Sequence, residues 1–301
     1  MAPQVSEQER VQRNNKRDMR IAFFDMLEDM FAKDDRLVLI LGDIGVYTAR
    51  NLFRDYPDRV FNIGICEQAT ISIAAGLAKE GFRPIFYTIA PFAVERCLEQ
   101  IKVDIGYQDL PVTIVSVGAS YDYAALGCTH HCPADVEVIT SIPNMRTYIP
   151  GSGAELKRDL GELYGIHPLY VRLSEREHRC SDMYNHWSIV QDGNKGLVIA
   201  VGNMLDRVIL ACIHFDVKII YINRLSFEML SWLKEDESKV AVVEPFYEGT
   251  TARFIPNNII VESIGTPRQF MTSYGVPEDH DIDSTITKEY IQIKLKKFFN
   301  D

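Results

Sequence analysis

Short apolar runs alternate with longer stretches of helical spacing along most of this chain. Leu37–Leu41 (LVLIL) is apolar throughout, residues 84–88 and 112–117 are β-rich runs, and residues 61–63 read as a short buried strand. Such runs, bounded by polar turns, predict strands covered on both faces. Between them, residues 20–31 place Ile21, Phe23, Phe24, Leu27, Met30 and Phe31 at helical spacing. Residues 69–77 (ATISIAAGL) form a small-residue stretch suited to a closely packed helix. Buried strands separated by helices predict an α/β domain built on a mostly parallel sheet flanked by helices.

A polar stretch over residues 175–194 precedes a second α/β pattern. Leu197–Val201 predicts a strand ending in Gly202, followed by a helix at 207–214 and strands at 217–222, at 240–243 and near Ile259. Only about a dozen residues separate the last two strands, too few for a crossover helix and its turns. The expected organisation is a polar tail (1–16), a first domain (17–180), a linker (181–195) and a smaller second domain (196–301).

Composition narrows the function classes. A chain of 301 residues with 47% hydrophobic content can bury two cores. A formal charge of -10 without a basic stripe argues against a nucleic-acid partner. No apolar run has membrane-spanning length and the first residues are polar, so a cytoplasmic protein with no membrane role is expected. The six cysteines lack the density of a disulfide scaffold and are expected as free thiols.

The candidate chemistry begins at Gly64-Ile-Cys-Glu67-Gln-Ala-Thr. Glu67 falls at a strand-to-helix junction, where the helix field favours a carboxylate and where α/β sheets bind ligands. Helix capping is the simpler alternative for Glu67, as core packing is for Phe92. Cys128, His130, His131 and Cys132 invite a metal reading, but adjacent ligands cannot easily wrap one tetrahedral ion, so no metal site is expected in this chain.

Four segments together resemble the transketolase family. Gly64-Ile-Cys-Glu67-Gln68 is similar to its GIAEQ-type motif, and Phe92 with Arg96 and Gln100 to its aromatic-then-Arg-x-x-x-Gln helix. Gly127-Cys-Thr-His130-His131 resembles its Gly-x-Ser/Thr-His-Gln segment, and Ile142-Pro-Asn-Met145 its Ile-Pro-Asn-Met turn. The resemblance covers residues 16–301 and implies two domains, the family's pyrimidine-binding and C-terminal domains. It also implies thiamine diphosphate as cofactor. Under it, Glu67 hydrogen-bonds the aminopyrimidine ring and takes part in proton transfer. Phe92 packs on that ring, with Ile89 where the family often has a second aromatic. Asp43 and Ile44 line the domain interface near the cofactor, while His130, with His131, contacts substrate.

Departures from the family pattern shape the remaining expectations. Ala125-Leu126-Gly127 lacks the acidic residue that reads a sugar hydroxyl. Glu175 stands where many members hold an acceptor phosphate with arginine. Either the acceptor is atypical or unphosphorylated, or Arg176 or Arg17 holds its phosphate, with Arg172 nearby as a further substrate candidate; a solvated charged turn is the alternative reading of Arg172, Glu175 and Arg176. The family's Gly-Asp-Gly diphosphate and Mg²⁺ segment is absent. Those ligands are therefore expected on a separate N-terminal diphosphate-binding transketolase subunit, paired with this chain as an α2β2 heterotetramer. Met1 and the polar lead-in favour a separate gene product. The expected reaction is transfer of a two-carbon ketol, or related acyl, unit to an aldehyde or ketone. The β subunit of a 2-oxo-acid dehydrogenase, a deoxyxylulose-phosphate synthase type and a non-catalytic interaction partner remain as alternatives.

Overall fold

The computed structural model describes residues 18–180, 186–226, 230, 233 and 239–300. The residues at 1–17, including Arg17, lie outside that range, as do 181–185 of the expected linker.

The first sheet uses β1 (Leu37–Leu41), β2 (Val60–Asn62), β3 (Arg83–Ile89), β4 (Thr113–Val117), β5 (Arg146–Tyr148) and β6 (Leu169–Arg172). Its order is β2-β1-β3-β4-β6-β5, and every pairing is parallel. Helix α1 (Met19–Lys33) starts at Asp18, whose side chain accepts the Arg20 amide at 2.9 Å. Successive residues of β1 feed opposite cores: Leu37, Leu39 and Leu41 join Phe23, Leu27 and Phe31 of α1. Val38 and Ile40 join Ile71, Ala74 and Ala78 of α2 (Glu67–Lys79) on the other face. The small side chains of α2 allow that close approach. The predicted strand at 61–63 is displaced by one residue and is an edge strand: Val60 is buried, but Phe61 is 40% exposed.

The second sheet has order β11-β10-β8-β9-β7. Strands β8 (Leu197–Val201), β9 (Lys218–Ile222), β10 (Lys239–Tyr247) and β11 (Ile260–Thr266) are parallel. Strand β7 (Trp187–Gln191), inside the stretch read as linker, pairs antiparallel with β9. The short β10–β11 connection carries a single 3₁₀ turn, Thr251–Phe254, instead of a crossover helix. Among the described residues, helices α3 (Leu205–Cys212), α4 (Pro277–Asp283) and α5 (Lys288–Asn300) belong to this half. One apolar cluster is continuous across both halves, since Val94, Ile114 and Ile139 share it with Ile199, Val242 and Phe254. Among the described residues, no helix is long and apolar enough to cross a membrane.

Candidate active site

The strand order of the first sheet reverses between β1 and β3, and beyond the carboxyl ends of the strands at such a switch point is the crevice where α/β sheets bind ligands. Glu67, Asp43, Phe92 and His130 all lie on the segments that follow β2, β1, β3 and β4 there.

Glu67 is the first residue of α2 and is 1% exposed. Its Oε2 accepts a hydrogen bond from Arg96 Nη1 at 2.7 Å. Its Oε1 is buried and has no partner among the described residues. Leaving such an atom unpaired costs about 1–3 kcal/mol, so the position suits a ligand that brings a donor. The Arg96 guanidinium continues over the Phe92 ring, 4.1 Å from its centroid. Phe92 in turn meets the His130 ring edge-on at 5.3 Å. His130 Nδ1 lies 2.9 Å from Thr129 Oγ1, which fixes the ring and leaves Nε2 for another partner. Behind Phe92, burial and the charge of Glu67 push the Cys97 thiol up to about 12, so it stays protonated.

A second strand of contacts approaches His130 from α1. Tyr123 is 6.4 Å from the His130 ring and accepts a hydrogen bond from Arg20 Nη1 at 3.2 Å. Arg20 pairs with Asp18 at 2.6 Å and with Glu175 at 2.8 Å. Burial opposes its charge, but Asp18 and Glu175 outweigh burial and raise its pKa. Glu175 is therefore neutralised by an arginine from another element.

Asp43 adopts φ 58° and is exposed. Its amide donates to Asn62 Oδ1 at 3.0 Å, and Asn62 Nδ2 donates back to Asp43 Oδ1 at 3.0 Å. Asn62 Oδ1 also accepts the Gly64 amide at 3.1 Å, tying together the loops after β1 and β2. Ile44 and Ile89 are half-buried and pack on the α1-side core.

The structure does not bring every expected residue to this cluster. His131 is buried between Tyr121 and His280, at 4.9 and 5.0 Å, apart from the contacts of His130. Burial and the neighbouring His280 lower its pKa. Arg172 is 2% exposed, bound to Asp135 at 2.8 Å and Ser120 at 2.6 Å, which is a structural ion pair and not an anion site. Arg176 holds Asp281 through two contacts of 2.8 and 2.7 Å and lines a cavity of about 550 Å³ with Asn203 and Arg207. Cys128 is exposed while Cys132 is buried against Glu95, so the four residues of the metal reading do not converge. Among the described residues, one group has ligand atoms close enough for an ion, His178, Cys180 and Asp206, and it excludes that turn.

Arg96 stands in the sequence motif without an assigned role, and Arg20, Tyr123 and Asn62 are not singled out at all. Arg96 lies in the turn that follows the short helix of Phe92, and the motif carries it in sequence, whereas its contact with Glu67 is decided by the fold. The other three carry no local signal.

Comparison with known proteins then decides the family. The family described as "Transketolase, pyrimidine binding domain" matches residues 15–180. The chain belongs to the transketolase family. This transketolase-family chain is 35% identical over 281 residues to "Uncharacterized 33.6 kDa protein in fasciation locus" of Rhodococcoides fascians, covering 89% of this chain and 90% of that one. It is 30% identical over 169 residues to one of the subunits of the apulose-4-phosphate transketolase of Actinobacillus succinogenes, covering 53% of this chain and 54% of that one. Its fold matches "Split gene transketolase, inactive beta4 tetramer" with a TM-score of 0.80 at 21% identity, over 94% of this chain and 98% of that one.

Proposed function

We propose that this chain is the small subunit of a two-component, thiamine-diphosphate-dependent transketolase-like enzyme. It transfers a two-carbon ketol, or related acyl, unit to an aldehyde or ketone acceptor. The observation that carries the reading is Glu67, buried beside Phe92 and His130 with one oxygen held by Arg96 and the other partnerless among the described residues. When bound, thiamine diphosphate supplies the carbon nucleophile of such a transfer. Glu67 Oε1 would hold or move a proton at the aminopyrimidine nitrogen, and Phe92 would offer its flat face to the pyrimidine. Arg96 keeps both in place. His130, fixed through Nδ1, would use Nε2 to donate to or accept from a substrate hydroxyl or carbonyl.

A separate N-terminal subunit would bring the diphosphate site and Mg²⁺, in an α2β2 heterotetramer. Support comes from the loops after β1 and β2, where Val46, Tyr47 and Ile65 are 36%, 80% and 67% exposed around the crevice. Among the described residues, the Arg20–Glu175–Asp18 group carries no net positive charge for a dianion, which supports an unphosphorylated acceptor.

The test is native mass spectrometry of this chain co-expressed with the neighbouring open reading frames, with thiamine diphosphate and Mg²⁺ present. A complex with a second chain that retains the cofactor is the expected result. That complex should turn over unphosphorylated acceptors faster than ribose 5-phosphate. A chain that stays alone and binds no cofactor with any neighbour would defeat the reading.

A further inference from the structure

A group of buried polar rings outside the crevice lies where the C-terminal half meets the segment that carries His130. Residues 120–133 form a compact loop, closed at its base by the Cys132 amide donating to Ser120 O at 3.0 Å. Tyr121, His131 and His280 are 2%, 7% and 0% exposed. Tyr121 stacks on His280 at 5.1 Å and meets His131 edge-on at 4.9 Å, while His131 and His280 meet edge-on at 5.0 Å. These contacts run through ring faces and edges. Tyr121 Oη and both ring nitrogens of His280 have no hydrogen-bond partner among the described residues.

Three more contacts from the same half grip the loop. The Tyr274 ring lies against Gly127, where an added Cβ would sit 2.6 Å from a ring carbon. The Tyr247 amide donates to Pro133 O at 2.9 Å. Ser120, at φ 52°, donates its hydroxyl to Pro245 O and accepts from Arg172. A short loop held at both ends and on two faces has few ways to shift.

We infer that the C-terminal half sets the position of His130, with His280 and Tyr274 acting as positioning residues on the loop that carries it. That His130 contacts substrate rests on the function proposed above; the grip on the loop does not. Displacing a substrate-orienting group by about 1 Å can reduce turnover about 10²-fold, so the effect falls on substrate handling. Cofactor binding should change far less, because Glu67 and Phe92 stand on segments after other strands and are held by Arg96, with Phe92 meeting His130 only edge-on.

Two readouts test the inference. In the full chain, hydrogen exchange of the amides at 127–132 should quicken at least about tenfold in His280→Ala and in Tyr274→Ala, with β1 to β4 unchanged. Tyr274 is 69% exposed, so its variant should fold even if His280→Ala does not. In the assembled enzyme, both alanine variants should raise the substrate KM and lower kcat, each by about tenfold. Thiamine diphosphate affinity should stay within about twofold, and His280→Phe, which restores the ring, should recover near wild-type values. Unchanged exchange at 127–132, or faster exchange with wild-type KM and kcat, overturns the inference. A wild-type assembly without thiamine-diphosphate-dependent turnover would instead overturn the proposed function, and the exchange data would still decide whether the C-terminal half holds the loop.

Discussion

Glu67 and Glu244 are both buried carboxylates, yet their surroundings give them different tasks. Glu67 has one oxygen on Arg96 and one buried oxygen with no partner among the described residues, the position from which the proposed function has it exchange a proton with the cofactor. Glu67→Gln keeps the shape and removes that capacity; turnover of the assembled enzyme should fall by about 10² or more, and steady-state kinetics on the complex will read it. Glu244 instead accepts the Gly249 amide at 2.7 Å and the Thr251 amide at 2.8 Å, bracing the turn after β10. Burial outweighs those hydrogen bonds and pushes its pKa up from 4.5 to about 7. The folded state then binds more protons than the unfolded state between those two values. Stability should therefore fall as pH rises from about 4.5 to 7 and level off above, by roughly 1–3 kcal/mol in all. Urea midpoints at pH 5 and 8 should show that loss in the wild type, and Glu244→Gln should flatten it.

Elements follow local signals closely where burial is two-sided and less closely at edges. The strand β1 was legible because LVLIL leaves no solvent face, and all five of its residues are buried. Strand β2 was read as buried, but Phe61 and Asn62 face outward, because a short run cannot distinguish an edge from a centre. Strand β7 was missed for a related reason: its exposed and half-exposed residues resemble a polar linker. At α1 the sequence carries a capping signal in Asp18, which also pairs with Arg20. Asp18→Ala should cost about 1 kcal/mol through the lost cap, measurable as a lower urea midpoint. It should also loosen the Arg20–Tyr123 contact behind His130.

At the scale of the molecule, the two sheets are joined by one apolar cluster and by the grip of the C-terminal half on residues 120–133. Independent domains would unfold in steps, whereas a shared core couples them. Calorimetry of the chain should give a single transition whose van't Hoff and calorimetric enthalpies agree; two resolved transitions would show that the shared cluster contributes little. Assembly with a diphosphate-binding partner should then raise the midpoint, since a partner that binds only the folded state stabilises it by mass action.

The sequence by itself determined the α/β class, most strands, the helices near 20–31, 69–77 and 207–214, and the placement of Glu67, Phe92 and His130 on their segments, because hydrophobic period and short motifs are local properties. It could not rank the arginines. Arg172 became a buried partner of Asp135, and Arg20 met Glu175 across the chain. It could not separate His130 from its neighbour His131, which the fold turns toward Tyr121 and His280. Those outcomes depend on strand order and on packing between residues more than 100 positions apart in some cases, such as Arg20 and Tyr123 with a separation of 103. Only tertiary structure fixes such pairings, since burial and charge compensation are decided by which distant surfaces meet.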